Sequence, residues 1–203
     1  NVSVVDEFGS EVPSNTKGYL VIRNPWPGML LTLWGDDEKY KNVYWSKYPD
    51  CYYPGDYALK DGDGYLWLLG RADDILKIAG HRIGTAELES CVVSDCAVAE
   101  SAVCGIPDEI KGEAIVVFAV LKDGVTTDKN ILEKNLFNKI RTDVGPIATP
   151  KQIYFVSKLP KTRSGKIMRR LLKSIASGEK IGDVSTLDDP SAVVEIQKTV
   201  IEN

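Results

Sequence analysis

The longest apolar run in this chain, AIVVFAVL at residues 114–121, limits what the sequence can build. It is too short to cross a bilayer, which takes about 20 residues. With its flank, GEAIVVFAVL (112–121) reads as a strand. VAESAVCGI (98–106) reads as another that stops at Pro107, and QIYFV (152–156) as a third. Asp128 is placed to cap a helix whose apolar residues Leu132, Leu136, Ile140 and Val144 are spaced by four. IGTAELESCVV (83–93) predicts an earlier helix, with Thr85 as N-cap and Glu87 in its first turn. IMRRLLKSIA (167–176) predicts an amphipathic helix with Ile167, Leu171, Leu172 and Ile175 inward. From residue 83 the order is α-β-β-α-β-α, an α+β fold in which helices flank a small sheet. From Gly178 the chain is polar, and Asp189-Pro190 is placed to begin one final helix.

The first third reads differently. It is strands and turns rich in Gly, Pro, Tyr and Trp. GYLVI (18–22) is a short strand, PWPG (25–28) a rigid turn, and Asp36 caps a short helix running toward Trp45. DYALKDGDGYLWLLG (56–70) predicts a hairpin turning at DGDG (61–64). The pattern changes at GRADD (70–74), which places a boundary there: residues 1–72, 73–176 and a tail, 177–203.

Charge and cysteine usage exclude several functions. The net charge of −4 argues against a whole-protein attraction to nucleic acid or an anionic membrane. The four cysteines, Cys51, Cys91, Cys96 and Cys104, include no CxxC pair, and His81 is the single histidine, so no zinc or other metal site is expected. Buried free thiols in a reducing cytoplasm are expected instead. There is no secretory pattern. The opening NVSVVDEFGSEVP (1–13) looks like a strand and turn from mid-protein, so a piece of a longer or split protein is expected.

Chemistry concentrates in a few places. LPKTRSGKIMRR (159–170) lies in a stretch with seven basic residues and no acid: Lys158, Lys161, Arg163, Lys166, Arg169, Arg170 and Lys173. It reads as a solvated basic helix face, a nucleic-acid or sorting patch, or the placement of one lysine. Lys166, where an exposed and mobile loop meets the helix, could meet a developing negative charge. Asp56, after the Pro54-Gly55 turn, could accept two hydrogen bonds from ribose hydroxyls or merely close the turn. Arg71 could bond a sugar or phosphate, or pair with Asp73 or Asp74. Gly80 permits close backbone approach, and Arg82 could clamp a phosphate or be structural. His81 reads as a hydrogen-bonded structural residue. No GxxxxGK[ST] or GxGxxG phosphate loop exists here.

The order of these elements carries more than any one of them. PWPGMLLTLWGD, YYPGD, DGYLWLLGRADDILKIAGHRIGTAELES, GIPDEIKGE, VGPIATP and LPKTRSGKIMRR together resemble the AMP-forming, acetate-activating branch of the adenylate-forming superfamily of acyl-CoA synthetases. The resemblance covers essentially the whole chain, including GDVSTLDDPSAVVEI in the tail. It implies that residues 1–72 end a large N-terminal domain and that 73–176 form a small mobile C-terminal domain. It implies ribose binding by Asp56 with help from Arg71, and a phosphate contact by Arg82 in one domain orientation. Asp73 becomes the hinge. Ala79 and Gly80 line the path of the CoA pantetheine, and Arg141 meets the CoA 3′-phosphate. Lys166 becomes the adenylation lysine and a target of reversible acetylation. The implied substrates are acetate, ATP with Mg²⁺, and CoA. The implied partners are the N-terminal domain or polypeptide and a lysine acetyltransferase and deacetylase. Two positions depart from the family pattern: Pro54 replaces a threonine and Ala79 a common serine. The competing readings are a non-catalytic regulatory module and a ligase for another short-chain acid such as propionate.

Overall fold

The computed structural model describes residues 1–202 as two compact units, divided between Ile75 and Leu76. In the first, β1 (Val2–Val5), β2 (Lys17–Ile22), β3 (Asp56–Lys60) and β4 (Leu66–Arg71) form an antiparallel sheet in chain order. Helix α1 (Asp37–Tyr44) interrupts it, capped by the Asp36 carboxylate, which accepts from the Lys39 amide at 3.0 Å. The β3–β4 hairpin forms where the sequence predicts it. The Asp61 carboxylate accepts from the Tyr65 amide and the Trp67 indole N–H, each at 2.8 Å, and so ties the turn to its returning strand. One core cluster is Val5, Val21, Tyr48 and Cys51, with Tyr19 and Tyr53 against it. The Lys47 ammonium lies 3.8 Å from the Tyr19 ring centroid.

The second unit is built on the predicted apolar strand. β5 (Leu76–Ile78), β6 (His81–Ile83), β7 (Val98–Asp108), β8 (Gly112–Leu121) and β9 (Gln152–Val156) form one sheet, in the order β6-β5-β8-β7 with β9 parallel on β8. Both faces of β8 are covered. Ile115, Val117 and Ala119 join the core that holds Leu88 and Val92 of α2 (Thr85–Val93) and Leu132, Leu136 and Ile140 of α3 (Lys129–Asp143). Val116 and Phe118 join a second core with Leu171, Leu172 and Ile175 of α4 (Arg169–Ala176) and Val193 and Ile196 of α5 (Pro190–Glu202). Two covered faces explain why the sequence of β8 is a continuous apolar run and not an alternation.

Several expectations change in detail. β7 runs through Pro107 to Asp108, with Pro107 opposite Glu113 beside the turn into β8, a strand-end position where a missing N–H is tolerated. Thr85 is the first helical residue and buried, and the N-cap is Gly84, with no side-chain cap bond. Asp128 caps α3 as expected, accepting from Asn130 and Ile131. α4 begins at Arg169 and not Ile167, because Ile167 is drawn into an antiparallel bridge with Lys161. The β5–β6 hairpin was not foreseen. All four cysteines are free, but Cys96 is exposed where a buried thiol was expected. The polar stretch from Gly178 returns to the core at Leu187 and then forms α5, where Asp189 accepts from the Ser191 amide. No described helix is long and apolar enough to cross a membrane.

Candidate functional site

In the first unit, Asp56 opens β3 directly opposite Arg71 at the end of β4. The guanidinium donates to the Pro54 carbonyl at 2.6 Å and reaches Asp56 at 3.4 Å and Asp73 at 3.2 Å. Gly55 makes this possible. Its φ is +86°, and a Cβ there would sit 2.4 Å from an Arg71 nitrogen. Arg71 thus pairs with Asp73, one of the two carboxylates the sequence offered it, and also braces Asp56, whose side chain is 31% exposed. A carboxylate held in place with part of its oxygen surface in water can still accept from a diol.

In the second unit, Ala79 and Gly80 are the two turn residues of the β5–β6 hairpin, with Ile78 opposite His81. Both have positive φ, +47° and +85°, as a tight two-residue hairpin requires. The Ala79 amide donates to the Lys111 carbonyl at 2.9 Å. Nothing lies within 4 Å of a Cβ built on Gly80, so that side of the turn is open. Arg82 follows on β6, opposite Lys77, and is exposed. His81 is exposed too, and among the described residues its ring has no hydrogen-bond partner, which corrects the structural reading. Arg141 is exposed in the last turn of α3. After that helix Gly145 adopts φ +123° and ψ 161°, a backbone region reserved for glycine.

The basic stretch resolves into paired and unpaired cations. Lys158 pairs with Asp189, Lys161 with Glu100 at 2.7 Å, and Lys173 with Glu113 at 3.4 Å. Arg170 donates to the Asp183 carbonyl. Arg169 makes a two-pronged pair with Glu89 at 2.9 and 2.7 Å. Among the described residues, the side chains of Arg163 and Lys166 have no such partner. A nucleic-acid stripe needs its cations free, and five of these seven are spent inside the fold.

Lys166 also sits on a more ordered turn than a mobile loop. The Thr162 amide donates to the Lys166 carbonyl and the Gly165 amide to the Thr162 carbonyl, both at 2.8 Å. The Lys166 amide donates to Thr162 Oγ1 at 3.1 Å. A second segment flanks this turn: Arg163 N–H reaches the Thr186 carbonyl, Asp188 N–H the Lys161 carbonyl, and Thr162 bridges to Leu187. Two contributors were missed in the sequence. Glu89 holds the first residue of α4 and also accepts from the Val103 amide at 2.9 Å, and the 186–188 segment braces the lysine turn. Neither pairing leaves a local spacing signal, since Glu89 and Arg169 are 80 residues apart. Among the described residues no three His, Cys, Asp or Glu side chains cluster as metal ligands.

The model of the AMP-binding enzyme C-terminal domain matches residues 87–166. The chain is 59% identical to an acetyl-coenzyme A synthetase of Pyrobaculum arsenaticum over 99% of its own length and 30% of that protein. It is 48% identical to a 3-hydroxypropionyl-coenzyme A synthetase of Metallosphaera sedula, again over 99% of this chain and 30% of the relative. The acetoacetyl-CoA synthetase from Streptomyces lividans superposes with a TM-score of 0.85 at 23% identity, covering 100% of this chain and 31% of that one, which is a likeness of fold. The chain therefore spans about a third of the length of the proteins it matches.

Proposed function

Because this chain belongs to the adenylate-forming family of acyl-CoA synthetases, we propose that it is part of an acetate–CoA ligase, supplying the hinge, the adenylation lysine and part of the CoA site. The observation that carries the proposal is the isolation of Lys166: an ammonium without a partner among the described residues, on a hydrogen-bonded turn, in a run whose other cations are mostly neutralised. A lysine kept out of every ion pair is available to a ligand.

The reaction needs such a group. An acetate oxygen attacks the α-phosphorus of ATP, the bond to the bridging oxygen breaks, and pyrophosphate leaves with both electrons. Two anions must approach, and the Lys166 charge offsets their repulsion. Mg²⁺ would enter on the ATP phosphates as part of the substrate. Asp56, braced by Arg71, accepts from the ribose hydroxyls. The CoA thiolate then attacks the acetyl carbon and AMP departs. For that step rotation about Asp73 withdraws Lys166 and presents the Ala79–Gly80 turn to the pantetheine, with Arg82 on phosphate and Arg141 on the 3′-phosphate. Acetylation of Lys166 by a lysine acetyltransferase deletes the charge and stops the first step alone, and a deacetylase restores it. The acid is read as acetate from the 59% identity to the Pyrobaculum arsenaticum acetyl-coenzyme A synthetase.

The test is a chimaera in which this chain replaces the matching portion of the Pyrobaculum arsenaticum protein. Acetate-dependent ATP–pyrophosphate exchange is expected, and Lys166→Ala should lower it by about 10²–10³-fold, the scale of losing one transition-state charge partner. Acetyl-CoA formation from supplied acetyl-AMP should persist in that variant. A folded chimaera without exchange would sink the ligase reading and leave a regulatory module.

A further inference from the structure

We propose that Arg163 is a second phosphate-binding residue of the adenylation step, gripping the pyrophosphate end of ATP from the turn that carries Lys166. This inference rests on the ligase reading above. Of the seven cations between residues 158 and 173, only Arg163 and Lys166 have side chains without a partner among the described residues, and both belong to one tight turn. Their shared exposure is not that of a loose loop. The Arg163 N–H donates to the Thr186 carbonyl at 3.3 Å, and the turn closes on itself through Thr162, Gly165 and Lys166. The backbone of Arg163 is therefore fixed from a second segment while its guanidinium stays in water.

The two side chains suit different parts of one reaction. An ammonium is a compact point charge; a guanidinium is a planar fork that matches two phosphate oxygens at once. When the α-phosphorus–oxygen bond breaks, the electron pair moves onto pyrophosphate and no proton is transferred. The growing negative charge on the leaving group needs a cation away from the attacked phosphorus, and a turn with two free cations can serve both ends. Because one turn carries both, withdrawing Lys166 for the thioester step also withdraws Arg163, so the grip on pyrophosphate is released before CoA reacts.

The experiment uses the same chimaera, with wild-type exchange as the reference. Arg163→Ala should raise KM for pyrophosphate in the exchange assay or lower the exchange rate by about 10-fold or more, the worth of one charge-assisted phosphate contact. Arg163→Lys should fall between, and millimolar guanidinium should partly rescue Arg163→Ala. Acetyl-CoA formation from acetyl-AMP and CoA should not change. Arg170→Gln, which removes a cation bonded within the fold, is the control for charge loss alone. Wild-type rates in Arg163→Ala, equal effects of Arg163→Ala and Arg170→Gln, or a matching loss in the thioester step would each overturn the proposal. An inactive wild-type chimaera would instead mark failure of the ligase reading on which it rests.

Discussion

The two units spend similar strand chemistry in opposite ways. In Leu76 onward, β8 is buried on both faces, by α2 and α3 on one side and α4 and α5 on the other. In Asn1–Ile75 the buried clusters are small: Val5, Val21, Tyr48 and Cys51 in one, Val4, Leu20 and Ala58 in the other. Strand β4 there leaves Leu66, Trp67 and Leu68 exposed, and Leu31 and Trp34 are almost fully in water. An apolar run therefore reports a two-sided core only where helices of matching period follow it, as they do in the second unit. In the first, the same residue types leave a patch of the kind that marks interaction surfaces.

Core truncation breaks or sharpens this contrast most strongly. Leu136, fully buried on the inner face of α3, should cost about 2–5 kcal/mol of stability as Leu136→Ala. Leu68→Ala on the exposed face of β4 should stay within about 0.5 kcal/mol. Denaturant unfolding followed by circular dichroism measures both. A Leu68→Ala cost equal to that of Leu136→Ala would mean that the β4 face is covered in solution.

What could be read from the sequence follows the same division. QIYFV and GEAIVVFAVL are strands with the predicted bounds, since dense β-branched and aromatic residues leave little alternative. Asp36 and Asp128 are caps because a carboxylate needs only the amides two and three residues ahead. Elements set by distant partners were missed. β5 and β6 have three residues each, and their turn, Ala79-Gly80, lacks the usual Asn-Gly signal. Ile167 looks helical in a window of its neighbours and is taken by Lys161 instead. For the site, the local residue pattern offered Lys166 as a candidate without separating it from six other cations, and only the family resemblance singled it out. The separation depends on Glu89, Glu100, Glu113 and Asp189, all remote in sequence.

Ala79 reverses the logic of the well-packed second unit. It holds a φ of +47°, a region in which a Cβ costs about 1–2 kcal/mol. Glycine removes that cost but adds freedom to the unfolded chain, so Ala79→Gly should stabilise the protein by about 0.5–1 kcal/mol. Thermal unfolding checks it. A destabilised Ala79→Gly would show that the methyl group makes a contact worth more than the backbone strain.

The smallest effect separates the units by pH. In the second unit the Lys158 hydrogen bond, then those from Ser191, hold the Asp189 carboxyl down at about 2. Its unfolded value is near ~3.9, so its contribution to stability is present above that pH and disappears as pH falls through about 2. In the first unit burial, then the neighbouring Tyr19, pushes the Tyr53 hydroxyl up to about 12. That contribution is whole below the unfolded value of ~10 and is lost as pH rises toward about 12. Other groups blur the division, since Asp61 in the first unit is depressed by its Trp67 hydrogen bond and Tyr154 in the second is raised by burial. The probes restore it. All four tryptophans, Trp26, Trp34, Trp45 and Trp67, lie in the first unit, whereas four of the five helices lie in the second. Tyr53→Phe should therefore shrink the alkaline loss seen by tryptophan fluorescence, and Asp189→Asn the acid loss seen by helical circular dichroism. If each substitution moves both signals equally, the units unfold as one body and the contrast between them does not extend to stability.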